Sequence, residues 1–196
     1  MKKLLFYYLA FIAMPSVYSQ NTIAYTKPLP KFDNKGTIRM PDGTTLKIDN
    51  FADTEGAIFF IVRHAEKDTT GGSNADLNAT GRGRALALRK MLKKVKLNGI
   101  YSTDRPRTKH TAEPVAKQQH HIVELYDAKK QQELLAKLVA QKGKFLVVGH
   151  SNTVPQLVNI LRGNDEEKEF SESDYSRFYI VSVKKLGEAQ VLMIRF

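Results

Sequence analysis

Four short stretches of this 196-residue chain place chemistry-bearing side chains where an apolar run stops. Ala57 to Val62 (AIFFIV) runs straight into Arg63 and His64. GIYST leads to Asp104, Arg105 and Arg107, HIVEL leads to Glu124 and Asp127, and KFLVVG ends at His150. An imidazole can act as a nucleophile or move a proton near neutral pH, provided a partner fixes which nitrogen carries the hydrogen. Guanidinium groups stay charged and donate paired hydrogen bonds that match the oxygens of a carboxylate or phosphate. Two histidines, several arginines and a carboxylate brought to one place would therefore suit chemistry on an anionic group. The chain has no cysteine, so thiol catalysis, disulfides and cysteine metal clusters are excluded.

Positioning these groups requires strands that end at a common edge. AIFFIV is short, apolar throughout and rich in β-branched and aromatic residues, as expected of a strand buried on both faces. KFLVVG, Lys144 to Gly149, repeats the pattern. Between the strands lie helical patterns. GRGRALALRKMLKKV is capped at Thr80 in this reading. PRTKHTAEPVAKQ is broken or restarted at Pro114. AKKQQELLAKLVAQKG carries the stripe Leu134, Leu135, Leu138 and Val139, and TVPQLVNILRG follows the last parallel strand. RFYIVSV and AQVLMIRF read as a closing antiparallel pair. Alternating strands and helices predict an α/β three-layer sandwich, with a mostly parallel central sheet and helices on both faces. In such sheets ligands bind beyond the carboxyl ends of the strands, where the four stretches terminate.

Those stretches carry a resemblance. VRHAEK is similar to the R-H-G/A signature of the histidine phosphatase superfamily, the phosphoglycerate mutase-like enzymes. LNATGRGRA resembles its L-[ST]-x-x-G-x-x-Q/R-A segment, and IYSTDRPRTKHTA its arginine segment, with Arg107 in the arginine position. VVGHSNTV resembles the segment of the second histidine, here His150. Order and spacing agree from about Ala57 to Arg162, as in the compact members of branch 1. The resemblance implies a phosphoglycerate mutase-like fold and a phosphatase working through a phosphohistidine on His64. Arg63, Arg107 and His150 would bind the phosphoryl oxygens, with no metal or cofactor. It implies a phosphorylated small molecule or a phosphoprotein as substrate. Glu124 is the candidate general acid and Asp127 its rival.

Other residues have plainer readings. Ser151 and Asn152 are expected to cap the helix that follows them. Glu66 and Lys67 are read as loop charges rather than as the mouth of a site. The basic run Arg82, Arg84, Arg89, Lys90, Lys93 and Lys94 is read as a solvated face, with Arg105 at a helix surface. It lacks the interleaved aromatics that stack on nucleic acid, so no nucleic-acid partner is expected. His120 and His121 are read as adjacent strand residues on opposite faces, unsuited to share a metal. A serine hydrolase is a rival, because VVGHSNT approaches the G-x-S-x-G elbow at Ser151. Thr153 replaces its last glycine, and no histidine follows His150 to complete a Ser–Asp–His order. A non-catalytic module of the same fold that binds phosphate or another anion is the second alternative.

The chain divides into residues 1–19, 20–56 and 57–196. Lys2 and Lys3, the apolar run Leu4 to Met14, Pro15 and the small Ser19 form the pattern of a secretory signal, with an uncleaved anchor as the alternative. Its removal takes away two positive charges and no acid, leaving +9 of the formal net charge of +11, a balance that favours anionic partners. A periplasmic or secreted location is expected, with no stable membrane anchor after cleavage. Residues 20–56 read as a polar lead-in followed by a hairpin turning at Pro41-Asp42-Gly43. Residues 57–196 form the phosphatase domain under the resemblance.

Overall fold

The computed structural model describes residues 25–53 and 55–196. The expected secretory signal, residues 1–19, lies outside them. A six-stranded sheet forms the centre, made of β4 (Ala57–Arg63), β5 (Gly99–Ser102), β6 (Glu124–Leu125), β7 (Gly143–Gly149), β8 (Arg177–Lys185) and β9 (Glu188–Arg195). Its order is β6-β5-β7-β4-β8-β9. The first four of these strands pair in parallel, and β8 and β9 join antiparallel. α1 (Ala79–Met91), α2 (Pro106–Gln119), α3 (Gln131–Gln141) and α4 (Thr153–Arg162) connect them.

Every residue of β4 is buried, as its unbroken apolar run predicts. Its alternation assigns Ile58, Phe60 and Val62 to one core and Ala57, Phe59 and Ile61 to the other. The first core is closed by Leu88 and Met91 of α1 and by Ala112 and Val115 of α2. The second is closed by Leu135 and Leu138 of α3 and by Val154, Leu157 and Leu161 of α4. This is the α/β sandwich with helices on both faces that the sequence predicts.

Residues 25–53 of the N-terminal extension pack on the main domain. β1 (Lys31–Phe32), β2 (Thr37–Arg39) and β3 (Thr45–Lys47) form a small antiparallel sheet, and β2 and β3 are the expected hairpin. Phe32, Ile38, Ile48 and Phe51 enter the first core. The Phe32 ring meets Phe60 and Phe178 edge-on, with centroids 6.2 and 5.8 Å away. The small sheet therefore seals one face of the large one.

Several local expectations change. Asn78, not Thr80, caps α1, its side chain accepting from the Gly81 N–H at 2.9 Å. Helix α2 continues through Pro114 instead of breaking, giving up one backbone donor. His120 is not in a strand. It is the left-handed cap of α2, at φ 58°, and His121 reaches the Leu97 carbonyl at 3.0 Å.

Candidate active site

Register brings the two histidines together. β4 and β7 pair in parallel with Arg63 opposite Gly149, so His64 and His150 leave neighbouring strands at the same level. The His64 N–H donates to the Gly149 carbonyl at 2.9 Å, extending the ladder one step beyond β4. Adjacent strands lie about 4.8 Å apart, and the two imidazole centroids are 5.4 Å apart. Gly149 is needed at this crossing, because a Cβ there would stand 2.8 Å from Thr153 Oγ1. That same hydroxyl accepts the His150 N–H at 2.8 Å.

The turn after β4 is fixed from two sides. Thr111 Oγ1 accepts the Ala65 N–H at 2.9 Å and donates to the Arg107 carbonyl at 2.7 Å, so one hydroxyl ties α2 to the residue after His64. Helix α1 presses on the same turn through Gly81, where a Cβ would lie 2.1 Å from the Glu66 carbonyl oxygen. Arg84 completes the brace. It is buried against the reading of a solvated face, and it grips Glu66 through Nε at 3.0 Å and Nη2 at 2.7 Å. Glu66 is thus an internal anchor of the turn, not a free loop charge.

His64 is set up as a nucleophile. Its Nδ1 lies 2.8 Å from the Ala65 carbonyl, which can only accept, so Nδ1 carries the hydrogen and Nε2 keeps its lone pair. Burial pushes its pKa down to about 3, with Arg63, Arg107 and His150 adding in the same direction. His150 is lowered to about 4, again by burial first and then by Arg107, Arg105 and Arg63. Both rings are therefore neutral at neutral pH without an anion. The Thr108 hydroxyl donates to the Thr103 or Arg105 carbonyl, at 2.8 and 2.9 Å, and Thr103 Oγ1 donates to Thr108 Oγ1 at 3.0 Å. Thr103 Oγ1 is then an acceptor for His150 Nε2, 2.8 Å away, which leaves Nδ1 of His150 for a ligand.

The arginines have donors in hand. Arg63 Nη1 is taken by the carbonyls of Ser171, Glu172 and Asp174 at 3.0 to 3.2 Å. Arg107 Nη1 holds the Ser73 carbonyl at 2.8 Å, and Arg105 Nη1 holds Asn74 Oδ1 at 2.8 Å. Yet the Nε atoms of both Arg63 and Arg107 are buried without a hydrogen-bond partner. Buried donors are nearly always satisfied, so two orphans beside a neutral histidine mark where an oxyanion fits. Burial and the neighbouring Arg105 and Arg63 charges lower the Arg107 pKa, a further sign of uncompensated positive charge.

The expected residues divide clearly. His64, Arg63, Arg107 and His150 gather around one point. Glu124 lies on β6 opposite Tyr101, and burial, with the Glu124 carboxylate adding to it, pushes the Tyr101 phenol up to about 12. None of its described contacts reaches the two histidines or the two arginines. Asp127 accepts the Lys129 N–H at 2.8 Å and shapes a turn. Asn152 makes no capping bond to α4, and Ser151 donates to Glu172 Oε1 at 3.0 Å instead of capping. Lys67 comes to the mouth, its Nζ 3.8 Å from Glu172 Oε2. Sequence reasoning missed the segment 171–175. Tyr175 covers Arg63, with Cζ 4.2 Å from the ring centroid, and its ring lies 5.9 Å from that of His64. The only hint was a polar stretch with Glu172 and Asp174 just before β8.

A neutral imidazole ringed by cationic donors at the carboxyl edge of a mixed sheet suits an oxyanion such as a phosphoryl group, and the fold is of the phosphoglycerate mutase-like type. The sequence matches the family model described as histidine phosphatase superfamily (branch 1) over residues 59–134. Solved structures share the fold. The protein histidine phosphatase SixA complexed with tungstate aligns at a TM-score of 0.59 and 19% identity, covering 70% of this chain and 96% of its own. The mycobacterial glucosyl-3-phosphoglycerate phosphatase aligns at 0.58 and 14% identity, covering 68% and 96%. A protein described as mycobacterial hydrolase 1 aligns at 0.58 and 15% identity, covering 71% and 98%. No curated protein sequence gives a significant match.

Proposed function

We propose that the protein is an exported, metal-independent phosphatase that carries the phosphoryl group on His64 Nε2. The two orphaned arginine Nε donors beside a neutral His64 carry this reading. In the first step Nε2 forms a bond to phosphorus as the bond from phosphorus to the leaving group breaks. In the second, water attacks phosphorus, the N–P bond breaks, and inorganic phosphate leaves with His64 restored. Arg63 and Arg107 donate to the equatorial oxygens, where charge builds up in the transition state, in the place a metal takes in other phosphatases. His150 Nδ1 joins them once the bound dianion raises its affinity for a second proton, with Thr103 holding Nε2 in place.

The leaving group is the selective part. Glu124 points to Tyr101, so an alkyl oxygen would leave without its help. That favours a donor whose leaving group needs little protonation by an acid, such as the phosphohistidine of a protein. One fold neighbour is a protein histidine phosphatase, which accords with this choice. Export rests on the pattern of residues 1–19.

The test uses residues 20–196 with phosphohistidine and p-nitrophenyl phosphate, each with and without chelator. Phosphate release that survives chelation and disappears in His64→Ala is expected. Equal rates for wild type and His64→Ala would refute the reading. Fractionation of the expressing cell tests export, with the shortened chain expected outside the cytoplasm.

A further inference from the structure

Arg63 presents one edge to a phosphoryl group. With Nη1 consumed by three carbonyls, the remaining fork is Nε and Nη2, two donors that together match two oxygens of a phosphate. Nε is buried and unpartnered, but Nη2 already holds Glu172 Oε2 at 3.1 Å. The Glu172 carboxylate is tied down at three points, with Ser151 Oγ on Oε1 at 3.0 Å and Lys67 Nζ 3.8 Å from Oε2. Its side chain is nevertheless 70% exposed, so it can swing into solvent without breaking a core. Arg63 cannot follow it, because the backbone carbonyls of 171–174 and the Tyr175 ring fix the guanidinium.

Given the phosphoryl site proposed above, we infer that Glu172 is a built-in competitor for that site, a carboxylate that a phosphoryl group must displace from Arg63 and that returns to displace inorganic phosphate. Glu172 thereby sets how tightly the site holds anions. It weakens binding of free phosphate and of a phosphorylated substrate alike, since each must displace the same carboxylate. The Ser151 hydrogen bond, with Arg63 and Lys67, holds the Glu172 carboxyl below its ordinary range, so it is charged when it competes. Its backbone carbonyl, separate from the side chain, keeps its hold on Arg63 when only the carboxylate is changed.

Calorimetric titration of inorganic phosphate into wild type and Glu172→Gln reads this without turnover. The amide keeps the shape and removes the charge, and phosphate should bind roughly 2- to 5-fold tighter, the size expected for an exposed ion pair. Ser151→Ala, which frees the carboxylate from one tether, should shift affinity the same way by less. In p-nitrophenyl phosphate hydrolysis the KM and the phosphate inhibition constant of Glu172→Gln should fall together. Unchanged phosphate affinity would overturn the inference while leaving a phosphatase intact. A fall in kcat at constant KM would overturn it too, by placing Glu172 in the chemical step. Binding by neither protein would remove the phosphoryl site and the competitor together.

Discussion

Acidification should destabilise this protein through His64. His64 has an ordinary pKa of 6.5 in the unfolded chain and about 3 in the fold. Above 6.5 neither state takes the proton, and His64 contributes no pH dependence. Below 6.5 the unfolded chain binds the proton and the native state refuses it. Stability then falls by about 1.4 kcal/mol per pH unit until the native ring also titrates near pH 3. At pH 5 the loss from this one ring is about 2 kcal/mol, a large part of the roughly 5–15 kcal/mol that holds a domain together. His150 shifts the same way but is more open to solvent, so its share is smaller. Urea denaturation at pH 7.5 and pH 5.0, on wild type and His64→Asn, isolates the effect because both proteins share every other titrating group. Wild type should lose about 2 kcal/mol more than the variant between the two pH values. Equal losses would show that His64 titrates normally in the fold, and the neutral buried imidazole, with the nucleophilic role proposed for it, would have to be abandoned. Saturating phosphate should shrink the difference, since a bound dianion stabilises the protonated form of the histidine pair.

Other outcomes follow from single contacts. Thr111→Val leaves the Ala65 N–H without its acceptor and should cost about 1–3 kcal/mol in urea denaturation, with a drop in kcat as Arg107 loosens from His64. Arg84→Met strands the Glu66 carboxylate and should cost about 3–5 kcal/mol by the same assay, whereas a solvated Arg84 would cost almost nothing. Phe32→Ala should cost about 3–5 kcal/mol, and a change under 1 kcal/mol would make residues 20–56 a separable appendage. Glu124→Gln should leave p-nitrophenyl phosphate turnover within about threefold, whereas a loss near the 10²-fold typical of a missing general acid would return Glu124 to that role.

The sequence made the sheet and half the site readable for a physical reason. β4 and β7 are buried on both faces, so their composition admits little but apolar residues, and Arg63-His64 and His150 stand out at their ends. What stayed hidden depends on contacts far apart in the chain. Nothing local separates Arg84, which is buried against Glu66, from Arg89 or Lys90 on the same helix. Glu124 looks suitable in sequence because it ends a strand, but β6 is the edge strand, two positions from β7, and its carboxylate meets Tyr101. The 171–175 segment has no periodicity to read. Its role comes from backbone carbonyls, which every residue has, and from a long-range return to Arg63.

The site also shows why one guanidinium is asked to do two things. Three backbone carbonyls on Arg63 Nη1 fix the layered stack of Tyr175, Arg63 and the 171–174 turn, and that fixation costs the arginine one of its terminal nitrogens. An arginine held this way is preorganised, because it need not search for its position when charge develops on phosphorus. The remaining Nε–Nη2 edge is then the whole of what Arg63 can offer a ligand. A lysine at position 63 could supply charge but neither the three-carbonyl anchor nor the fork. Arg63→Lys should therefore lose both at once. The expected result is a fall in kcat/KM of about 10²-fold or more, together with faster amide exchange across 171–175. Loss of activity with unchanged exchange in that segment would show that the carbonyls do not depend on Arg63, and that its position is set by other contacts.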